Sequence, residues 1–342
     1  MHLVRYFIFL PLLILSCRTG PVGYIESLLL SSSEEQSIQE RIWEDVSFEK
    51  LFSLPIDSLA FLYDPGLIKS DTAGDIYVVD LSTLQILRFA ENDGRFLTSY
   101  GNGIGTGPGE FHRITDFGAA GDSIVFVVDD RRRRISYFIK ESGDFVESSI
   151  STTKEAPFKH AVTESGIEYT MYDWSDYNFS SKIDDRVVRF AKETEKLMGT
   201  LAFGSTTTYK DYMVYVPSFY PLILIYDADG NVIMSKRTID YNDNFELPKL
   251  KKDERGLIDI DGNYLYGPIS IYADELYILK VHNELAFDVY NAKTVDYRYS
   301  FRIPPRFNSH FMKNRLYQVV DSAVVVYAVN SKSEYVMKRN SE

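Results

Sequence analysis

Between residues 67 and 149 the chain repeats one pattern of apolar and polar positions. Ile76, Tyr77, Val78 and Val79 form an apolar run closed by Asp80; Val125, Phe126, Val127, Val128 and Asp129 restate it 49 positions later. The same offset carries Ile86 to Ile135, Phe89 to Phe138, Gly94 to Gly143 and Phe96 to Phe145, without a gap. Short runs rich in β-branched and aromatic residues, bounded by Gly and Asp, read as strands. Gly74 with Asp75, and Asp93 with Gly94, supply the left-handed residue that tight hairpin turns need. A fixed period near 50 residues that spans several strands marks a blade in a radial array. The pattern predicts an all-β chain folded as a β-propeller.

The later copies are degenerate but readable. Blades are expected at residues 160–204, 209–240, 267–304 and 315–337, each with an apolar run such as Leu222 to Tyr226 or Leu276 to Leu279. Residues 47–338 hold about six periods, hence a six-bladed β-propeller. Phe48 to Leu54 alternates like a strand yet precedes the first full copy. Such a strand can complete the last blade and close the ring, removing an exposed sheet edge. Inserts are expected at residues 173–182 and 241–263. The first contains Trp174 with Tyr172, Tyr177 and Phe179, an aromatic group outside the repeat register that can stack on a sugar or simply pack a loop.

Between the first two blades runs Gly101-Asn102-Gly103-Ile104-Gly105-Thr106-Gly107-Pro108-Gly109-Glu110-Phe111. A blade followed by a Gly-rich loop ending in GPGEF resembles the NHL repeat and the related six-bladed propeller lipoproteins of bacteria. The resemblance covers residues 67–150 and implies that this loop links the outer strand of one blade to the inner strand of the next. The loop is not a phosphate cradle, because no Gly-Lys-Ser/Thr opens a helix after it.

Composition fits this architecture. The chain is 45% hydrophobic with 25 Tyr and 22 Phe, enough for a large core rich in strand-forming rings. A net charge of −12 argues against general affinity for nucleic acid or anionic lipid. Residues 1–16 read as a signal peptide: Arg5, then a largely apolar stretch from Tyr6 to Leu15 too short to span a membrane. Ile14-Leu15-Ser16-Cys17 resembles a bacterial lipobox, which implies that Cys17 carries a lipid. It is the chain's one cysteine, so neither a disulfide nor a Cys-based zinc site is open to it. Arg18, rather than Asp, follows it, and by the same resemblance the anchor is expected in the outer membrane of a bacterial cell envelope. Residues 17–45 would be a lipidated tether, with Ser32 and Glu35 in capping-box spacing for a short helix, and residues 46–342 the propeller.

Candidate chemistry is sparse. Asp227-Ala228-Asp229-Gly230 and Asp259-Ile260-Asp261-Gly262 look like calcium loops, but the twelfth positions are Thr238 and Ser270 instead of Glu, so they read as turns. Arg131, Arg132, Arg133 and Arg134 form a dense basic run where the first copy has Leu81 to Leu84. The propeller resemblance places them on the same face as His112 and Arg113, where guanidinium forks would suit carboxylates or sulfates. His112, His160, His282 and His310 show no paired ligand spacing, and no Gly-x-Ser-x-Gly elbow occurs.

The expected function is therefore a membrane-anchored, non-catalytic binding or scaffolding module for a protein or glycan, monomeric and without a cofactor. Its candidate contacts are His112, Arg113, Arg131, Arg132, Arg133, Arg134 and Trp174. The alternative, by analogy with lactonase and arylesterase propellers, is a metal-dependent hydrolase or lyase. It would hold Ca²⁺ or Zn²⁺ in the central channel; Asp116, near the start of an inner strand, could face that channel or be a structural aspartate.

Overall fold

The computed structural model describes residues 24–31, 40–55, 60–151, 155–173, 175–192, 203–241, 245–252, 258–306 and 308–332. Strand β1, Val46–Leu54, opens the propeller. Blade 1 comprises β2 Pro65–Ser70, β3 Ile76–Asp80, β4 Gln85–Phe89 and β5 Phe96–Tyr100. Blade 2 comprises β6 Asp116–Ala120, β7 Ile124–Asp129, β8 Arg134–Ile139 and β9 Phe145–Ile150. Blade 3 follows with β10 Ala156–Val162, β11 Glu168–Asp173, β12 Tyr177–Ile183 and β13 Arg186–Lys192. Blade 4 has β14 Gly204–Tyr209, β15 Tyr212–Pro217, β16 Leu222–Tyr226 and β17 Val232–Arg237. A hairpin, β18 Lys249–Lys252 with β19 Ile258–Asp261, fills the predicted insert before blade 5. Blade 5 has β20 Tyr266–Tyr272, β21 Glu275–Lys280, β22 Ala286–Asn291 and β23 Tyr297–Arg302. Blade 6 has β24 Ser309–Met312, β25 Arg315–Val320 and β26 Ala323–Ser331.

Among the described residues these strands form six four-stranded antiparallel sheets and the small hairpin. The inner strands meet in the order β2, β6, β10, β14, β20, β24 and back to β2, which makes a closed ring. Blade 6 takes its fourth strand from the other end of the propeller. β1 pairs antiparallel with β26 from Val46 opposite Ser331 to Leu54 opposite Val324, and so closes the ring as the sequence predicts. Without β1, β26 would present a row of unpaired backbone groups.

Each blade junction has its own apolar cluster, because both faces of each sheet are covered by neighbours. Leu54, Ile68, Val78, Tyr317 and Val324 fill the junction that β1 completes. Phe179, Phe190, Tyr215 and Tyr226 fill the one between blades 3 and 4, with ring centroids 4.8–5.6 Å apart. The junction between blades 2 and 3 differs: its buried apolar set is small, Phe126, Val128 and Ile135. Partly buried Ala120, Tyr137 and Val162 pack against it, and the polar side chains of His160 and Thr170 are buried beside it.

Three local expectations change. Blade 4 opens at Gly204, the position expected to end blade 3, because β14, Gly204–Tyr209, pairs with β15. Tyr172 lies in β11 and Tyr177 and Phe179 lie in β12, paired in ordinary register, with Phe179 fully buried. The segment expected as an insert at 173–182 is therefore largely blade strand: Phe179 is core, and Tyr172 and Tyr177 are partly exposed on the same two strands. Trp174 lies outside the described residues, as do Cys17, Ser32 and Glu35. The stretch expected as a tether also contributes docked parts. Helix α1, Tyr24–Ser31, buries Ile25 and Leu29 against the core between blades 3 and 4, and its Leu29 carbonyl accepts from Arg237 Nε at 3.2 Å. Residues 42–44 then lie along the outer edge of β23: Glu44 N–H donates to the Ser300 carbonyl and Ser300 N–H to the Ile42 carbonyl, both at 2.8 Å. Arg41 reaches beneath this edge to pair with Asp240 and Asp288.

Candidate functional site

The arginine face is built outward from one aspartate. Asp129 ends β7, fully buried; its Oδ2 accepts from His112 N–H at 2.8 Å and its Oδ1 from Arg132 N–H at 3.0 Å. It thereby ties the inter-blade loop to the turn between β7 and β8. Next to it, Asp130 accepts from Arg113 Nε at 2.7 Å. The Gly-rich loop is fixed from within: Phe111 N–H donates to the Gly103 carbonyl at 2.8 Å and Gly107 N–H to Glu110 Oε2 at 2.7 Å. Gly101 has φ +99°, and a Cβ there would sit 2.8 Å from the Phe111 ring, so both the turn and the close approach require glycine.

The structure brings His112, Arg113 and the four arginines together, but not as one fork. Arg134 turns inward, buried, with its guanidinium 5.7 Å from the Phe111 ring centroid and Nη1 3.3 Å from the Gly107 carbonyl. Arg131 and Arg133 are exposed, and Arg132 Nη2 lies 3.5 Å from the Thr106 carbonyl. Burial, and then the proximity of Arg131, push the Arg113 guanidinium below its ordinary pKa against the pull of Asp173 and Asp129. Burial lowers Arg134 as well, with Asp129 opposing and Arg132 adding to it. The face thus crowds positive charges within reach of one another.

The second locus is the channel. Every junction of the inner ring is stitched by a side chain. Lys69 Nζ donates to Asp116 Oδ1 at 2.6 Å, and Asp116 Oδ2 accepts from His160 N–H at 3.0 Å. Thr208 Oγ1 donates to the Val162 carbonyl at 3.3 Å, Ser205 Oγ to the Gly267 carbonyl at 3.0 Å, and Ser270 Oγ to the Phe311 carbonyl at 2.5 Å. Ser70 Oγ and His310 Nε2, 2.8 Å apart, complete the circle. Asp116 is the one carboxylate in this set, almost fully buried. Burial would raise its pKa, but Lys69, then Lys159 at 3.9 Å, hold it below the ordinary value.

His160 explains the polar filling between blades 2 and 3. Its ring stands edge-on to Phe126 at 4.7 Å, its Nδ1 lies 3.0 Å from Thr170 Oγ1, and Glu168 Oε2 is 3.7 Å from Nε2. Glu168 is already engaged by Tyr137 Oη and Lys182 Nζ, each at 2.9 Å. Burial pushes the His160 pKa down to about 4, and burial together with Lys69 pushes His310 down to about 3, so both rings are neutral at pH 7.

Among the described residues no group of three or more His, Cys, Asp or Glu converges on a metal position. Asp116, singled out in the sequence as a channel carboxylate, has both oxygens taken, Oδ1 by Lys69 Nζ and Oδ2 by His160 N–H, with Lys159 Nζ 3.9 Å from Oδ1. These residues do not fit a channel metal. Lys69, Lys159 and Ser70 escaped the sequence reading. The signal for the two lysines was a charged residue within an innermost strand, which takes its meaning from the assembled ring; Ser70 carried no local signal.

The fold and the stitched channel define a closed six-bladed β-propeller sealed by its N-terminal strand. The chain belongs to the DUF5128 family of 6-bladed β-propellers, whose pattern matches residues 60–294. Among solved structures it is similar to a Bacteroides fragilis protein described as exported, at TM-score 0.60 and 13% identity over 88% of this chain and 98% of that one. A DUF4221 member from Bacteroides vulgatus follows at TM-score 0.56 and 12% identity, covering 84% and 99%. Virginiamycin B lyase from Staphylococcus aureus gives TM-score 0.53 and 12% identity, covering 83% and 99%. These likenesses are of fold. No curated protein sequence matches the chain.

Proposed function

We propose that this protein is an NHL-like lipoprotein of a bacterial envelope, anchored in the outer membrane through Cys17, whose propeller binds an acidic partner, protein or glycan, without catalysis. The observation that supports it is the cationic cluster of Arg113, Arg131, Arg132 and Arg133, with His112 beside it, organised by Asp129 and Asp130 in a chain of net charge −12. Guanidinium groups displayed on a rigid turn recognise carboxylates and sulfates through paired donors. Trp174, which falls between the sequences of β11 and β12, is retained as a proposed stacking contact for a sugar. The description of the Bacteroides fragilis relative as exported agrees with an envelope location.

The second reading, a metal-dependent hydrolase or lyase, draws on the fold shared with virginiamycin B lyase. The two lysines on Asp116 weigh against it.

The test is retention of the purified protein on polygalacturonate, dextran sulfate and an acidic protein column, with neutral dextran as control. Replacing Arg131, Arg132 and Arg133 together by Ser should weaken retention at least tenfold. Unchanged retention would remove this face as the site. Cys17→Ser should release the protein from the membrane fraction.

A further inference from the structure

We infer that the arginine turn is one half of a longer docking surface, and that the other half is an apolar strip formed by Phe61, Tyr63, Leu81 and Ile104. The partner this surface fits is a protein segment that carries acidic and apolar side chains together. The inference rests on the arginine face being a binding site and narrows its partner from acidic protein or glycan to protein.

Three observations carry it. The first is exposure. Ile104, Tyr63 and Phe61 are 68%, 65% and 62% exposed, three of the four largest values for hydrophobic side chains among the described residues, and Leu81 is 44% exposed. Single exposed apolar residues are ordinary, but a group of them rimmed by polar residues marks a contact surface.

The second is contiguity. Tyr63 N–H donates to Asp80 Oδ2 at 2.7 Å and Leu81 N–H to the Asp64 carbonyl at 2.8 Å, so the entry to blade 1 and the turn after β3 form one rigid unit. The rings of Phe61 and Tyr63 are 6.4 Å apart. The Gly-rich loop continues the strip. A Cβ at Gly103 would stand 3.5 Å from the Thr83 carbonyl oxygen, so the loop runs against the same turn. Ile104 is held there by a parallel bridge to Phe111. Further along, the Thr106 and Gly107 carbonyls lie 3.5 and 3.3 Å from Arg132 Nη2 and Arg134 Nη1. Ile104 therefore stands between the turn that bears Leu81 and the turn that bears the arginines.

The third is the direction in which charges face. Arg131 and Arg133 are exposed and Arg132 is half-buried, whereas the nearest acids turn inward. Asp129 and Asp130 are buried, and Glu110 Oε2 accepts Gly107 N–H of its own loop. Asp64 is exposed at the opposite, aromatic end. Positive charge is thus displayed over blade 2 and apolar area over blade 1. A polyanionic glycan would use the first, and its hydroxylated body gains little from the aliphatic side chains of Leu81 and Ile104. A polypeptide with Glu beside Leu or Phe uses both, and aromatic residues with arginine are the groups that carry the energy of protein interfaces.

Fluorescence anisotropy with labelled peptides at pH 7 tests this. The probe is the octapeptide Glu-Leu-Glu-Phe-Glu-Leu-Glu-Phe; one comparison replaces its Leu and Phe by Ser, another its Glu by Gln, and polygalacturonate is the glycan competitor. The probe should bind the purified protein roughly tenfold more tightly than either comparison peptide. Replacing Phe61, Tyr63 and Ile104 together by Ser should weaken its binding roughly tenfold, with the urea midpoint unchanged because these side chains are exposed. The Arg131, Arg132, Arg133→Ser variant should weaken it as well. No saturable binding of the probe, equal binding of the serine peptide, or tighter binding of polygalacturonate would overturn the inference. Unchanged affinity in the apolar variant, with a loss in the arginine variant, would overturn this inference alone. The reverse pattern would remove the arginine face, and the two-part surface with it.

Discussion

Asp80 and Asp129 perform the same task in successive blades: each accepts the N–H of the residue 17 positions earlier, Tyr63 at 2.7 Å and His112 at 2.8 Å. With the other oxygen each holds the turn that follows its strand, Asp80 taking Ser82 N–H at 2.9 Å and Asp129 taking Arg132 N–H at 3.0 Å. The aspartate that closes each apolar run therefore locks the entry to its own blade onto the turn at the same end. Asp80→Ala and Asp129→Ala should each cost about 1–3 kcal/mol, because each removes a buried carboxylate that holds backbone N–H groups on two segments at once. Urea denaturation of the two variants checks this; a loss in one alone would show that the copies differ in role.

The closing strand is core as much as clasp. Leu54 is fully buried among Ile68, Val78, Tyr317 and Val324, so it joins blade 6 to blade 1 through side chains as well as backbone pairing. Leu54→Ala should destabilise the whole propeller by about 2–5 kcal/mol. Thermal unfolding should remain a single transition, since the ring is held closed by this strand.

Acid should unfold the protein through its buried histidines. His160 and His310 have folded-state pKa values near 4 and 3 against an ordinary 6.5. As pH falls below about 6.5 the unfolded chain takes up these protons and the fold does not. The stability they contribute is therefore fully present above that pH and is lost as pH falls toward 4 and 3, by about 3 kcal/mol for His160 alone. Asp116, with its pKa held below the ordinary carboxylate value, adds a loss in the same direction at lower pH. Denaturation midpoints measured from pH 7 to pH 4 should decline, and His160→Gln or His310→Gln should flatten that decline whatever either does at pH 7.

The four arginines of the turn should separate into two kinds. Arg134 is buried against Phe111 and reaches the Gly107 carbonyl, so Arg134→Ala should lower stability by about 1–3 kcal/mol. Arg131 is exposed, and Arg131→Ser should leave stability within about 0.5 kcal/mol. Denaturation curves of the two variants, compared with their retention on an acidic matrix, distinguish a structural arginine from a displayed one.

Much of this was legible in the chain. The blade period, the exchanged strand at residues 48–54 and the hairpin-bearing insert before blade 5 follow from apolar spacing and turn residues. The register around Phe179 is hidden in the sequence because the blade is degenerate, and it becomes visible when Thr170 is seen opposite Ser180. The docking of Ile25, Leu29 and Arg41 had no local signal, since a short apolar helix and a lone arginine take their meaning from the blade they meet.

The sequence by itself determined the repeating unit, the number of blades and the way the ring closes, because strands and turns are specified by residues close together along the chain. Only the tertiary structure decided which charges meet. Lys69 and Asp116 lie 47 positions apart, and Asp116 and His160 44. They come within hydrogen-bonding distance because consecutive blades stack around a common axis, and that stacking, not the local pattern, sets Lys69, Asp116 and His160 side by side in the inner ring.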